Sequence, residues 1–128
     1  MSSLFELNAV TISGNLTRDP ELHHTLSGTA VCNIRIAHND RRQTSSGEWT
    51  DHPQFFNIAI WAAIGEWAAA NLAKGDKVIA AGRLRWNEYQ DSDGVKHQLV
   101  DISAERVIPV PRRDPAVERT ADVDDIQF

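Results

Sequence analysis

Apolar residues recur at every second position through most of this chain, and that spacing confines its fold more tightly than any single residue does. A period of two is the mark of half-buried strands, because successive side chains point to opposite faces. Val10, Ile12 and Leu16 alternate with Thr11 and Ser13, with Gly14 as a bulge or close-approach point. Arg18-Asp19-Pro20 then turns the chain, and Cys32, Ile34 and Ile36 alternate with Asn33, Arg35 and Ala37 in a second strand. Residues 40–53 are polar around Ser45-Ser46-Gly47 and read as a long hairpin loop before a third strand at 55–61. Residues 62–73 change to a helical spacing, with Ile64, Trp67, Ala68 and Leu72 on one apolar face and Gly75 suited to the left-handed position beyond it. Period two returns over 77–89. Asp91-Ser92-Asp93-Gly94 makes a hairpin turn, a last strand covers 98–108, and Pro109, Pro111 and Pro115 end regular structure.

Three strands, a helix and a two-strand hairpin predict an all-β protein. A five-stranded OB-fold barrel with one α-helix between strands 3 and 4 satisfies that order, as does an open sheet with a helix packed on it. The expected division is a barrel domain over residues 1–110 and a short disordered linker with an acidic tip over 111–128. A length of 128 residues, 41% of them apolar, suits one domain with a real core and a short extension. The chain has no apolar run of membrane-spanning length and no leader pattern, and its one cysteine, Cys32, has no disulfide partner. Those absences favour a cytoplasmic protein with no membrane association.

Enzymatic readings fare poorly. The five histidines are scattered along the chain, and no glycine-rich loop has phosphate-cradling spacing. The one dense acidic cluster is the C-terminal tail, which cannot hold carboxylates around a metal. Cys32 sits among Ile34 and Ile36 and reads as core rather than nucleophile. The expectation is no catalytic residue, no metal and no cofactor.

The net charge of −5 is unevenly placed. Residues 1–113 carry 12 basic and 13 acidic groups, whereas 114–128 carry one and five, so the body is nearly neutral and can hold a basic groove. On the third strand Phe56, Ile58 and Ile60 supply a core face, which leaves Phe55, Asn57, Ala59 and Trp61 on the other. On the fourth, Val78, Ala80, Leu84 and Trp86 share one side and Arg83, Arg85, Asn87 and Tyr89 the other. Asn33 and Arg35 oppose the core face of the second strand. Taken singly, each ring reads more readily as second-layer core or subunit interface. Three coincident faces mixing rings, Arg and Asn reverse that preference, because unpaired nucleic acid presents flat bases and charged phosphates together. A duplex reader would need a basic recognition helix, and none is visible.

The chain resembles the bacterial single-stranded-DNA-binding protein family over most of its length. The likeness rests on Asn8-Ala9-Val10, the run from Gly14 to Leu22, the run from Ser27 to Val31, Gly47-Glu48, the run from Leu72 to Val78, and Gly82-Arg83-Leu84. It implies stacking aromatics at Phe55, Trp61 and Tyr89. A further aromatic of the family is replaced here by Arg41, with Trp49 in the same loop as a substitute. Arg18, Asn33, Arg35, Asn57, Arg83 and Arg85 complete the expected nucleic-acid face. The resemblance also implies a homotetramer and a bacterial, nucleoid-associated or phage-encoded origin. An accessory module of primosomal type, using the same aromatic face for protein contacts, is the competing function.

Asp122-Val123-Asp124-Asp125-Ile126-Gln127-Phe128 sets carboxylates beside apolar side chains at the chain end. On its own the stretch serves equally well as a frayed, solubilising terminus. With the resemblance it reads as a hook, Asp122, Asp124 and Asp125 meeting a basic rim while Ile126 and Phe128 enter an apolar pocket of replication, recombination and repair proteins. Gln127 stands where the family commonly has Pro, and the linker, residues 109–121, is short for the family. At roughly 3.3–3.6 Å per residue its thirteen residues reach at most about 45 Å, so docking occurs close to the barrel. Deleting Phe128 is expected to abolish capture of such partners while leaving DNA affinity equal or higher. Pull-down and oligonucleotide titration of the truncated chain check both halves, and capture that survives the deletion refutes the hook.

Overall fold

A computed structural model describes residues 5–111. Its elements are β1 (Val10–Leu16), β2 (Glu21–His24), β3 (Ala30–Gln43), β4 (Trp49–Trp61), α1 (Ala62–Asn71), β5 (Lys77–Gln90) and β6 (Lys96–Val110). The sheet order β1-β5-β6-β4-β3 closes on itself because the end of β1 also pairs with β3, at Asn15 with Ala37 and Leu16 with Ile36. This is a closed five-stranded barrel with one helix, and the open-sheet alternative is excluded. Two details add to that outline. The short β2 adds a sixth strand on the outer edge of β3, and β4 pairs with β6 in parallel at Ile58–Ile102 and Ile60–Ala104, so the barrel is not wholly antiparallel.

The core is the inward half of the alternation. Leu16, Cys32, Ile34, Ile36, Ile58, Ile60, Val78, Ala80 and Ile102 are all buried and form one cluster with Ala68, Leu72 and Ala104. Phe56 packs against it from the rim. Burial pushes the Cys32 thiol pKa up, which suits an inert core position. Closure depends on two small residues. A Cβ at Gly14 would lie 2.7 Å from the Ala37 carbonyl oxygen where β1 crosses β3. At Gly82 a Cβ would collide with the Ser103 carbonyl oxygen, beside a bulge in which Glu105 is the extra residue of β6. That extra residue changes the inward parity of β6, so Ile102 and Ala104 point inward on one side of it and Val107 on the other.

Three sequence expectations require correction. Residues 40–53 are not a loop: β3 and β4 stay paired from Ala37–Phe55 out to Gln43–Trp49, so the segment is a two-stranded arm turning at residues 44–48 with Gly47 at φ +90°. Alternating polar residues on both faces hid the strand period, since an arm that leaves the barrel has no buried side. The helix packs through Gly65, Ala68 and the following Leu72 rather than through Ile64 and Trp67, which stay exposed. A Cβ at Gly65 would meet the Ile60 backbone, so the helix lies too close to β4 for large side chains to fit between them. Leu84 and Trp86 continue the inward parity of Val78 and Ala80 but remain 47% and 57% exposed, because β5 and β6 outrun the barrel as a second arm.

Replacing Gly82 with Ala is expected to destabilise the domain by roughly 1–3 kcal/mol, as overpacking against backbone does. Urea denaturation measures the shift.

Candidate nucleic-acid interface

The outward half of the alternation forms a continuous surface over β3, β4, β6 and β5. Opposed residues in a sheet share a face, and the register places Arg35 beside Asn57, Asn33 beside Ala59, Ala59 beside Ser103, Ser103 beside Arg83, and Arg85 beside Asp101. Ala59 is only 1% exposed and forms the floor of this track. Phe55 (50% exposed) and Tyr89 (49%) stand on it, with Trp61 half-buried between floor and solvent. None of the three is sealed in the protomer. Trp61 ends β4 at a sharp corner, where Ala62 adopts φ +57° as the chain enters α1. A left-handed alanine costs about 1–2 kcal/mol, so the corner that carries Trp61 holds local backbone strain.

Each ring has a basic side chain on one face. The Arg35 guanidinium lies 5.0 Å from the Phe55 ring centre, Arg85 lies 5.4 Å from Trp61, and Arg41 lies 5.7 Å from Trp49. Tyr89 stacks on His97 at 5.0 Å with 19° between planes. A cation on one face of a ring leaves the other for a base, and the pairing holds each ring upright without burying it. Arg41 and Trp49, on opposite strands of the arm within the residues predicted as a loop, are thereby brought together.

Carboxylates hold the cations in turn. Arg85 donates to Asp101 through Nε at 3.1 Å and Nη2 at 2.8 Å, and Asn87 donates to the same carboxylate at 3.5 Å. This bidentate pair raises the Arg85 pKa, first through the hydrogen bond and then through the charge of Asp101 against opposing desolvation. Arg83 pairs with Glu105 at 3.4 Å and Arg41 with Asp51 at 3.4 Å, both pairs well exposed. Such exposed pairs contribute at most about 1 kcal/mol and open readily to a phosphate. Among the described residues Arg35 has no carboxylate partner. Arg18 is exposed in the turn after β1, and no contact joins it to the row of rings. Asp122, Asp124, Asp125, Ile126 and Phe128 lie outside the described residues.

Asp101 and His97 were not anticipated from sequence, although a signal existed. The Asp91–Gly94 turn fixes the hairpin register, and counting outward from it sets Tyr89 opposite His97 and Arg85 opposite Asp101.

Residues 7–110 match the Single-strand binding protein family. This chain belongs to that family. Single-stranded DNA-binding protein 1 of Tropheryma whipplei is 40% identical over 105 residues, covering 80% of this chain and 56% of the relative. The single-stranded DNA-binding protein of Borreliella burgdorferi is 40% identical over 98 residues, with 76% and 65% covered. The chain thus spans somewhat more than half the length of these relatives. Among solved structures, a deletion mutant of the single-stranded DNA binding protein from Thermus aquaticus superposes with a TM-score of 0.75 at 26% identity, over 84% of this chain and 52% of that one. The matched segment contains every element described above. No helix among the described residues is long and apolar enough to cross a membrane.

Replacing Asp101 with Ala is expected to cost about 1 kcal/mol of stability, at the low end for a charged hydrogen bond because Arg85 is partly exposed. It should also shift the emission of Trp61, whose face Arg85 covers. Urea unfolding and emission spectra, read against a Trp61→Phe background, separate the two effects.

Proposed function

We propose that this chain binds single-stranded DNA without regard to sequence, stacking bases on Phe55, Trp61, Tyr89 and Trp49 while phosphates pair with Arg35, Arg83 and neighbouring cations. The observation that carries the reading is the outward row of half-exposed rings, each backed on one face by a basic side chain. A ring so placed offers its free face to any base, since every base has a π-face, and the unpaired backbone follows the guanidinium groups. Asn33 and Asn57 line the same track and supply amide donors and acceptors. Arg41 takes a ring-backing role on Trp49, and Arg18 adds positive charge at the periphery. The names of the relatives agree with this reading.

The wider role follows the same line. Four copies assemble and the strand wraps around them, and the acidic tip from Asp122 to Phe128 recruits replication, recombination and repair proteins in a bacterial cytoplasm. The near-neutral body supports a groove whose cations are lent to DNA from internal ion pairs, and the acidic tail serves proteins. The protein acts by binding, with no catalysis.

Replacing Phe55 or Trp61 with Ala is expected to weaken binding of an unstructured oligonucleotide by roughly 1–3 kcal/mol each, with the fold retained. Fluorescence titration at fixed salt measures the loss, and thermal unfolding checks the fold. Unchanged Trp emission and no binding at low salt would overturn the proposal in favour of a protein-interaction module.

A further inference from the structure

The tip of the β5–β6 arm contains a unit that the proposed stacking row does not by itself require. Asp91 uses its two carboxylate oxygens differently. Oδ1 accepts the backbone N–H groups of Asp93 and Val95, at 2.9 Å each, and so forms the hairpin turn. Oδ2 accepts from His97 Nε2 at 2.7 Å. The imidazole held in this way lies flat against the Tyr89 phenol. The turn, the histidine and the aromatic platform are therefore one mechanical chain of contacts. The interaction with His97, followed by the Val95 N–H, lowers the Asp91 pKa, so the carboxylate is ionised whenever the hairpin is formed at neutral pH.

The other ring-backing side chains on the track are arginines, which keep their charge at every physiological pH. Histidine is the side chain that ordinarily changes charge between pH 5 and 8. The groups around His97 are few. Tyr89 of β5 covers one ring face, Asp91 of the turn meets Nε2, and Lys96 and Glu88, paired with each other at 3.8 Å, lie on the opposite face of the same two strands. Side chains of the Asp91–His97 pair are 33% and 43% exposed, so both are open to solvent.

Resting on the single-strand reading, the geometry points to Asp91 and His97 as positioning residues that present one face of Tyr89 to a base, and to protonation of His97 as a step that tightens the grip on the strand. Protonation turns a neutral imidazole behind the phenol into a cation, strengthens its contact with the ionised Asp91, and places positive charge beside the phosphate path. The unit gives an otherwise pH-insensitive row of arginine-backed rings one titratable member. Acidification between pH 8 and 6 should tighten binding.

The test is oligothymidylate binding, followed by anisotropy at constant ionic strength from pH 5.5 to 8.5, for the full chain and its H97F, H97Q and D91N variants. The wild type is expected to tighten about two- to fivefold from pH 8 to 6, the fold-change that one added exposed cation beside a phosphate, contributing roughly 0.5–1 kcal/mol, represents. H97F keeps a ring stacked on Tyr89 and, whatever its affinity at pH 8, should lack that component of the tightening. H97Q should bind more weakly at pH 8 and likewise lose that component, and D91N should reduce it. Because the variants differ in shape, thermal midpoints identify any that lose the hairpin, and H97F remains decisive. An H97F profile parallel to that of the wild type, or H97Q binding equal to wild type at both pH values, would overturn the inference while leaving the single-strand reading intact. Absence of binding by the wild type at every pH would overturn both.

Discussion

Closure of the barrel on a column of branched aliphatic side chains governs everything else in this protein. Ile34, Ile36, Ile58, Ile60, Val78 and Ile102 fill the interior from four strands. Each buried side of this kind contributes roughly 1.5–3 kcal/mol relative to exposure. A one-residue slip in any strand would exchange that set for its polar neighbours, so the interior fixes the register throughout. The outward row is a consequence. Because Ile58 and Ile60 must point in, Phe55, Asn57, Ala59 and Trp61 must point out, and the same logic sets Arg35 and Arg85 on the surface they share.

The outward surface then solves a second problem, that of keeping large rings half in water without collapse onto the core. Pairing each ring with a basic side chain from another strand, and three of those four side chains with a carboxylate, gives a surface of one-sided platforms. Exposed ion pairs are weak enough to be exchanged for phosphate. Under the proposed function, this arrangement lets a chain of net charge −5 offer a track to single-stranded DNA. Charge summed over the chain says little, since the pairing is local and the excess acidity lies beyond residue 113.

Among the strands, the sequence pattern misleads for one physical reason. Period two identifies a strand only if one of its faces is buried. The barrel portions of β3, β4 and β5 have such a face, and their period shows which side Phe55, Trp61, Arg83 and Arg85 occupy. The outer reaches, residues 40–53 and the pair Leu84 and Trp86, leave the barrel and have none, so by pattern the paired arm resembles a loop and the exposed apolar pair resembles core. The helix misled through its large residues, because Gly65 and Ala68 win the buried face where two backbones approach too closely for Ile64 or Trp67.

The alternation of the chain was by itself enough to determine an all-β barrel with one helix, the inner and outer face of each barrel strand, and the rings that stand on the outer one. These are local properties, set by side chains one or two positions apart. Which cation backs which ring, that Asp101 clamps Arg85, that Asp91 joins a turn to His97 and Tyr89, and that β4 meets β6 in parallel were decided only by the tertiary structure. Those contacts join residues on different strands, and their partners follow from strand order and closure, which no local pattern encodes.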